Sequence, residues 1–361
     1  MGPGLRRDAL NAGCARSPDA YRRDNRLIHQ MNTEIQGEES LIQEFLAPLA
    51  AGFPGAFGLK DDCAALAPTP GHDLIVKTDP VAAGVHFFAG DAPEDIAWKA
   101  LAVNVSDLAA KAAIPRAYLM ALSFPEAPTR DWMQRFAQGL GKAQNNFGMH
   151  LIGGDTDKRP GPLTISMTVF GEVAAGCMVR RGTAQVGDQI YVTGALGSAA
   201  IGLALRGDPG IAVKWGLSAN EASAALQRYL RPEPRLALRA ALAHASAAMD
   251  LSDGLAKDLG RMCRASGVAA RISLAMLPLE SFTRKAVTSD PRQWQAVAAA
   301  GDDYEVLATV PQAKVRDFVA AAQASGTAVS RIGSIARGAG VEIAGLDGKP
   351  VGFDRTGWDH F

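Results

Sequence analysis

The chemistry-bearing residues of this chain begin with two aspartates, Asp250 and Asp253, which lie three positions apart in an otherwise apolar stretch. A carboxylate that enters from an apolar run costs several kcal/mol unless it is paired or bound to a metal. Ser252 and the following glycine are typical of a tight turn whose backbone N–H groups are free to bind anions. The simpler alternative is that Ser252 or Asp253 caps the next helix.

The same setting, an acid beside small or hydroxyl residues and next to apolar ones, recurs at Asp62, Asp79, Asp107, Asp155 and Asp303. One such acid is typical of a cap or a solvated turn, but a series of them predicts a shared site of oxygen ligands. Mg²⁺ takes carboxylate and phosphate oxygens and keeps several waters. Histidines are few and unclustered, which disfavours zinc or iron. The hypothesis is therefore a site that binds several Mg²⁺ ions and a polyphosphate.

Three further segments could bind phosphate. Residues 187–198 read as strand, glycine turn and helix, and the helix N-terminus could hold an anion. Arg180 and Arg181 just upstream are either a phosphate clamp or a surface pair. Residues 153–155 (GGD) follow a predicted strand at 150–152, where glycine lets the backbone approach a ligand closely. Neither a Walker A sequence nor a G-x-G-x-x-G fingerprint occurs in the chain.

Composition sets the broad class. The chain has 361 residues, long enough for two domains, and a formal net charge of zero. Zero net charge gives no support for binding to nucleic acid or to an anionic membrane. The sequence has no 18-residue apolar run that could span a bilayer. Four scattered cysteines without a C-x-x-C pair indicate neither a zinc site nor a disulfide framework, and we expect a cytoplasmic protein.

The first 30 residues differ from the rest, because they carry six arginines and little apolar periodicity. They lack the apolar h-region of a secretory signal, and three aspartates count against a transit peptide. We expect residues 1–33 to be a disordered extension, with Met31 a plausible start of translation.

The elements that must position the acids follow from periodicity. A helix over 94–113 carries a polar row of Asn104, Asp107 and Lys111, spaced as neighbours on one helical face. The pattern restarts near residues 174–176, which predicts an N-terminal domain over 34–174 and a C-terminal domain over 175–361. The remaining predicted elements are helices from about 41 and over 130–147, 220–229, 256–266 and 314–325, an Ala-rich helix before Asp250, strands over 73–79, 117–123, 163–173, 306–310 and 329–335, and a hairpin over 341–351.

Taken together, these motifs resemble the thiamine-monophosphate kinases, a family of the aminoimidazole-ribonucleotide-synthetase-like superfamily. Any single segment is unspecific, but the set occurs in the family's order from about residue 37 to the C-terminus. The segments that carry the resemblance are 60–64 (KDDCA), 78–79 with 84–87 (TD and GVHF), 99–108 (KALAVNVSDL), 153–155 (GGD), 249–255 (MDLSDGL), 301–305 (GDDYE) and 357–361 (GWDHF).

The resemblance implies ATP-dependent phosphorylation of thiamine monophosphate to thiamine diphosphate. It also implies a fold of two α/β domains of the α+β type, with an N-terminal mixed sheet that dimerises into a barrel and a C-terminal α/β sandwich. The family's Mg²⁺ ligands match Asp62, Thr78, Asp79, Asp107, Asp155, Asp250 and Asp253. Its nucleotide-binding positions match Gly154, Asp155, Arg181 and Ser252, and its substrate-binding positions match His86, Asp302 and Trp358. The implied assembly is a homodimer with ATP near the interface.

Three residues depart from the family pattern. Lys60 replaces the usual glycine, Lys77 replaces the usual serine or threonine, and Asp302 replaces the usual glutamate. A metal contact from position 77 would therefore need the backbone carbonyl. Lys60 could neutralise phosphate charge, and the shorter Asp302 could leave the substrate contact longer or bridged by water.

Two alternatives remain at the level of sequence. One is a sister enzyme of the superfamily, such as an aminoimidazole ribonucleotide synthetase or a selenophosphate synthetase, although the reactive Cys segment of the latter is absent. The other is a regulator that binds nucleotide or thiamine phosphate without turnover. The many aspartates argue against a regulator, whereas Lys60 and Lys77 favour it.

Overall fold

The computed structural model describes residues 35–353 together with 357 and 358, so the predicted extension at 1–33 lies outside the described residues. Two sheets organise this part of the chain, one of four strands in the order β1-β4-β2-β3 and one of six in the order β10-β7-β9-β5-β8-β6. Each sheet has its own helices and its own apolar core. The predicted fold of two α/β units is therefore confirmed.

The first sheet is mixed, since β1 and β2 both pair antiparallel with β4 while β2 pairs parallel with β3. Its strands are β1 His72–Ala82, β2 Ile114–Phe124, β3 Leu151–Lys158 and β4 Thr164–Ala174. Its long helices are Pro93–Ala110 and Arg130–Phe147. The chain enters this unit through the helix Glu38–Leu41, a π-helical turn Ile42–Leu46, and the 3₁₀ segments Ala47–Ala50 and Pro54–Leu59.

The helix Pro93–Ala110 lies between the two units. It begins with proline in its first turn, followed by Glu94 and Asp95, the residue types that favour a helix N-terminus. It is buried on nearly every side, because it packs on the first sheet, on Arg130–Phe147 and on elements of the second unit. It ends three residues before the predicted position 113, since Ala112 has a left-handed backbone with φ of 59°.

Two strands are longer than predicted. Strand β1 continues through Pro80 to Ala82, where the prediction ended it at 79. Proline is tolerated there because β1 is an edge strand, where a residue without a backbone N–H can point that position away from the neighbouring strand. Strand β3 continues to Lys158, so residues 153–155 lie within the strand rather than after it. Gly154 is required there because a Cβ would overlap the carbonyl of Met120 on β2.

The second unit surrounds the six-stranded sheet. Its strands are β5 Gln189–Thr193, β6 Ala247–Asp250, β7 Ala269–Ser273, β8 Val306–Val310, β9 Val329–Ala336 and β10 Gly340–Ala344. Its helices are Ser198–Gly207, Ile211–Lys214, Ala219–Leu230, Arg239–Leu242, Leu255–Ser266, Ser281–Ser289, Gln293–Ala299 and Val315–Ala324, with 3₁₀ turns Leu236–Leu238, Leu274–Met276 and Gln312–Lys314.

One prediction in this unit is wrong. The Ala-rich stretch before Asp250 is not one helix: it forms the single turn Arg239–Leu242 and then strand β6, which pairs with β8. The predicted hairpin over 341–351 is present in a short form, with one antiparallel bridge between Ala344 and Pro350 and a hydrogen bond from the Val351 N–H to the Ile343 carbonyl at 2.8 Å. Strand β10 also pairs in parallel with β7, which places Ile343 in the core. None of the helices within 35–353 is both long and apolar enough to cross a membrane.

Candidate functional site

A lysine and two aspartates meet where strand β1 faces the helix Pro93–Ala110. Lys77 and Asp79 point to the same side of β1, because strand side chains alternate. The Lys77 ammonium lies 2.8 Å from an Asp79 carboxylate oxygen and 2.9 Å from one of Asp107. Burial opposes the charge of Lys77, but the pull of Asp107 and Asp79 outweighs it and raises the pKa of Lys77. The three side chains thus form one charged cluster.

The helix also fixes the strand that carries the cluster. The amide oxygen of buried Asn104 accepts a hydrogen bond from the Asp79 backbone N–H at 3.0 Å. The amide nitrogen of Asn104 donates to the Ala100 carbonyl at 3.0 Å. The predicted polar row of Asn104, Asp107 and Lys111 is therefore turned into the protein, toward β1 and the second unit.

Asp250 reaches the same place from the second unit, at the end of strand β6. It is 6% exposed and lines a cavity of about 460 Å³ together with Lys77 and Asp107. Burial, assisted by the nearby negative charge of Asp107, raises the pKa of Asp250 to about 8. A cation placed in this cavity would favour the ionised form of the carboxyl group, as expected of a metal or ammonium site.

Basic side chains also line this cavity, which we call the interdomain cavity. They are Lys111, Arg180 and Arg181. The Lys111 ammonium donates to the Ala248 carbonyl at 2.8 Å, and burial lowers its pKa. The predicted phosphate clamp therefore lines the same cavity as Asp107 and Asp250. A cavity lined by both carboxylates and cations can take both divalent ions and phosphate oxygens.

A second acidic group lies over the opposite face of the first sheet. Asp62, Gly154 and Asp155 line a cavity of about 810 Å³, with Asp61 and Glu38 beside them. One Asp155 carboxylate oxygen accepts from the Thr156 N–H at 2.9 Å, which leaves the other side of this exposed carboxylate toward the cavity. We call this the sheet-face cavity.

Thr78 also points to the outer face, away from its neighbours Lys77 and Asp79. Its hydroxyl donates to the Met167 carbonyl at 3.0 Å and accepts from Thr168 at 3.0 Å. The predicted metal ligands are thus divided between two faces of one sheet. Among the described residues, no group of three or more acidic, histidine or cysteine side chains is arranged as a preformed metal cluster.

The turn after β6 is closed by a residue that the sequence reasoning missed. One carboxylate oxygen of Asp258 accepts from the backbone N–H groups of Ser252, Asp253 and Gly254, at 2.9–3.1 Å. The prediction that these N–H groups are free for an anion is wrong, and Gly254 rather than Ser252 or Asp253 is the helix N-cap. An acid in the first turn, four residues after a glycine, is the signal that could have indicated this contact.

Asp253 and Asp258 share a partner in Arg261, whose guanidinium contacts both carboxylates. Asp258 is fully buried, and burial raises its pKa to about 6 even though it accepts three backbone hydrogen bonds. Asp253 also lies 3.9 Å from the Lys257 ammonium. This predicted metal ligand is therefore already neutralised by basic side chains in the described structure.

The predicted anion site at the start of helix Ser198–Gly207 is also wrong. The Asp303 carboxylate accepts from the Gly197 N–H at 2.8 Å and lies 3.5 Å from the Ala199 N–H. An internal carboxylate thus satisfies the helix N-terminus. Asp303 consequently caps a helix and does not join the acids of the interdomain cavity.

A chain of contacts links the predicted substrate residues His86 and Asp302. It runs through two residues, Lys99 and Tyr229, that the prediction did not single out. Lys99, 3% exposed, binds Asp302 at 2.9 Å, and its ammonium lies 3.7 Å from the ring centre of Tyr229. The Tyr229 hydroxyl donates to the His86 carbonyl at 3.5 Å, and the His86 Nδ1 accepts from the Ala82 N–H at 3.1 Å. The one sequence signal for a role of Lys99 is that this lysine lies among apolar residues of a helix.

Trp358, the third predicted substrate residue, lies against the turn that follows β6. Its backbone N–H donates to the Asp253 carbonyl at 3.0 Å, and its side chain is 47% exposed. The last three residues of the chain lie outside the described residues. The side chain of Trp358 is thus partly exposed beside the acidic turn.

Family comparisons agree with this geometry. The family models described as AIR synthase related protein, N-terminal domain and C-terminal domain, match residues 60–173 and 185–345. The thiamine-monophosphate kinase of Caulobacter vibrioides is 39% identical over 323 residues, which cover 88% of this chain and 89% of the relative.

Solved structures give the same result. The crystal structure of thiamine-monophosphate kinase from Stenotrophomonas maltophilia K279a superposes with a TM-score of 0.72 at 34% identity, covering 93% of this chain and 98% of that one. The structure of AaThiL complexed with AMPPCP and TMP superposes with a TM-score of 0.70 at 28% identity, covering 93% and 96%.

Proposed function

The chain belongs to the thiamine-monophosphate kinase family, and on that basis we propose that it transfers the γ-phosphate of ATP to thiamine monophosphate, giving thiamine diphosphate and ADP. The observation that carries the proposal is the interdomain cavity, where carboxylates and basic side chains from both units meet. Such a cavity suits the charge pattern of a polyphosphate bound with divalent ions. The family relationship, which covers nearly the whole chain, indicates the acceptor.

The acceptor itself removes the need for a strong general base. A phosphate monoester has a second pKa of about 6, so near neutral pH it is largely dianionic and already nucleophilic. The obstacle is repulsion between two anions. Each pair of unit charges about 4 Å apart, at an effective dielectric of ~20, repels by about 4 kcal/mol. Catalysis therefore depends on cancelling this charge and aligning the two phosphates.

The basic side chains of the interdomain cavity would supply part of that cancellation. Arg181 and Arg180 can bind phosphate oxygens with the planar fork of the guanidinium, and Lys111 adds a point charge held in place by the Ala248 carbonyl. Because Lys111 is held before substrate binds, it can stabilise the developing charge without reorganising. No side chain is required to carry a covalent phosphate, and we expect direct transfer.

The acidic residues suit Mg²⁺. Burial and the nearby Asp107 carboxylate raise the pKa of Asp250. A bound cation would stabilise the ionised form of such a carboxyl group. We propose that Asp79, Asp107 and Asp250 hold Mg²⁺ on one side of the first sheet and Asp62 and Asp155 on the other. These residues would hold Mg²⁺ where it would neutralise phosphate oxygens and help to orient the polyphosphate.

The remaining proposed ligands follow from their positions. Asp253 would bind Mg²⁺ only by exchanging Arg261, and Thr78 only from the outer face of β1. Gly154, with Asp155, would let the nucleotide approach the sheet edge, while Ser252 would contact it from the turn after β6. For the substrate, Trp358 would stack on the cationic thiazolium, and His86 and Asp302 would border it beside Lys99.

The outer face of the first sheet supports a homodimer. Apolar side chains there include Val76, which is 56% exposed, with Leu74, Leu119 and Phe170 lining the sheet-face cavity. A second copy of the same sheet would cover this surface, closing a barrel, and would complete a nucleotide site near Asp62 and Asp155. We also propose that the two domains extend over 34–174 and 175–361. We further propose a cytoplasmic location, which is supported by the four cysteines without a C-x-x-C pair.

The test is an assay of the purified chain with ATP, MgCl₂ and thiamine monophosphate, in which chromatography separates the thiamine phosphates. Thiamine diphosphate should form in step with ADP, and its formation should stop when EDTA removes divalent ions. ADP formation only with a different acceptor would identify a sister enzyme of the superfamily. Saturable binding of both ligands without turnover would identify a regulator.

A further inference from the structure

We propose that Lys77 supplies a tethered ammonium ion in place of one divalent cation between Asp79 and Asp107. The inference rests on the proposed function, since it concerns how the same phosphate site is neutralised. If Lys77 replaces a metal ion in this way, the chain binds one divalent ion fewer than its acidic side chains could otherwise hold. Lys77 would then determine the number of metal ions bound per chain.

The first support is geometric. A single Lys77 nitrogen lies 2.8 Å from Asp79 and 2.9 Å from Asp107, so one cation bridges two carboxylates from different elements. Bridging carboxylates of a strand and a helix is what a metal ion does when it joins two elements. A divalent ion could not also occupy the point between these two oxygens, because the ammonium would repel it. The Mg²⁺ proposed for Asp79, Asp107 and Asp250 would therefore bind their other carboxylate oxygens.

The second support is the charge balance of the cavity. Asp107 and Asp250 line the cavity with Lys77, and Asp79 joins this group through its contact with the Lys77 ammonium. Lys77 shares its positive charge between Asp79 and Asp107, so a side chain already neutralises part of their negative charge. Without it, two carboxylates face each other with no cation between them, and the cavity demands a further ion.

The third support is that Lys77 faces the site rather than bulk solvent. Its side chain is 30% exposed and lines the interdomain cavity beside Arg180 and Arg181. A lysine that only joined a strand to a helix could lie on any part of β1. Here its ammonium lies at the cavity wall, where bound phosphate oxygens would meet it, so it can neutralise phosphate as well as carboxylate charge.

The experiment counts bound Mn²⁺ per chain by electron paramagnetic resonance, with the full chain in the presence of AMPPCP. Lys77→Thr should bind one more Mn²⁺ per chain than the wild type, because the threonine leaves both carboxylates and the space between them. Lys77→Arg, which keeps a cation, should bind the wild-type number. Lys142→Thr, a change at an exposed lysine of the helix Arg130–Phe147, should also leave the number unchanged.

Equal Mn²⁺ counts for the wild type and Lys77→Thr would overturn the proposal. A thermal measurement keeps the test decisive if the variant folds poorly without metal. Saturating Mn²⁺ should raise the melting temperature of Lys77→Thr more than that of the wild type, and an equal rise would mean that Lys77 is only a structural bridge. Neither readout needs turnover, so an inactive wild type would refute the proposed function without deciding the metal count.

Discussion

Asp107 and Asp250 come from different units and line the same interdomain cavity, where we propose that Mg²⁺ and phosphate bind. Asp107 is held by Lys77, whereas burial raises the pKa of Asp250 to about 8. Two carboxylates with such different surroundings in one cavity indicate a site built for cations and phosphates rather than a structural ion pair.

Replacing Asp107 with Asn should lower kcat by at least about 100-fold, because the variant loses a charged ligand of the phosphate site. The fold should survive, since Asn has nearly the same shape and Asp107 is partly exposed. Steady-state kinetics and circular dichroism measure the two effects. Asp131→Asn, an exposed acid on another helix, is the control and should keep full activity. Normal turnover in Asp107→Asn would contradict the assignment.

Asp258 should make stability depend on pH. Its folded pKa of about 6 lies above the ordinary value of 3.8, so below pH ~4 it is protonated in both folded and unfolded chains. As pH rises through 6, the unfolded chain ionises more readily, and the stability contributed by protonated Asp258 is lost, by up to about 3 kcal/mol.

Asp258→Asn should therefore be less destabilising, relative to wild type, at pH 7 than at pH 4, because its amide oxygen can still accept N–H groups of the turn without ionising. Urea unfolding at both values measures the difference. A gap between wild type and variant that does not change with pH would refute the raised pKa.

The sequence indicated residues of the candidate site where the same kind of acid recurs along the chain. Asp107, which lies in a polar row with Asn104, is an example. Asp258 and Lys99 left only weak local signals in the sequence and Tyr229 left none, because their roles depend on partners that folding brings near. Asp303 shows the opposite error. Its sequence context matches that of the other acids, but its carboxylate caps a helix.

At the scale of elements, two helices govern the position of the site. The helix Arg130–Phe147 packs against the start of Pro93–Ala110, which carries Asn104 and Asp107. The two backbones lie close together at Gly139, where a Cβ would overlap the main chain of Glu94. Close contact between the two backbones thus fixes the buried helix on its outer side.

Gly139→Ala should destabilise the protein by about 1–3 kcal/mol, because backbone atoms cannot move aside as a flexible side chain can. Gly141→Ala is the matched control on the same helix, where a Cβ would meet Leu49 at an ordinary 3.4 Å. The control should be neutral or stabilise by roughly 0.5–1 kcal/mol, the helical preference of alanine. Chemical denaturation compares them, and equal effects would contradict the packing argument.

Helices with strong periodicity could be predicted closely, as Arg130–Phe147 shows, because their signal is local. Strand partners could not. The pattern in 341–351 indicated the hairpin but not that β10 also pairs in parallel with β7, where Ile343 is buried. The prediction also ended β1 too early, because proline usually ends a strand. Pro80 is tolerated within β1 only because this strand lies at the edge of the sheet.

At the scale of the whole molecule, the two units meet around the helix Pro93–Ala110 and leave the opposite face of the first sheet exposed. The interdomain cavity is thus formed within one chain. The sheet-face cavity is open on its apolar side, where we propose that a second copy binds.

Val76→Lys should convert the proposed dimer to a monomer, because it places a charge in the centre of the apolar face. Sedimentation velocity gives the oligomeric state. The control is Val213→Lys, which changes an 84% exposed valine of the second unit and should leave the dimer intact. A wild-type monomer, or a Val76→Lys dimer, would rule out this face as the interface.

Rapid quench with γ-³²P-labelled ATP distinguishes direct transfer to thiamine monophosphate from other fates of the γ-phosphate. Wild-type chain is mixed with labelled ATP, MgCl₂ and thiamine monophosphate, and the label is followed in thiamine diphosphate, inorganic phosphate and protein. We expect one labelled thiamine diphosphate for each ADP, with no labelled protein at any time. Label that accumulates on the protein, or that appears only as inorganic phosphate, would contradict direct transfer to thiamine monophosphate.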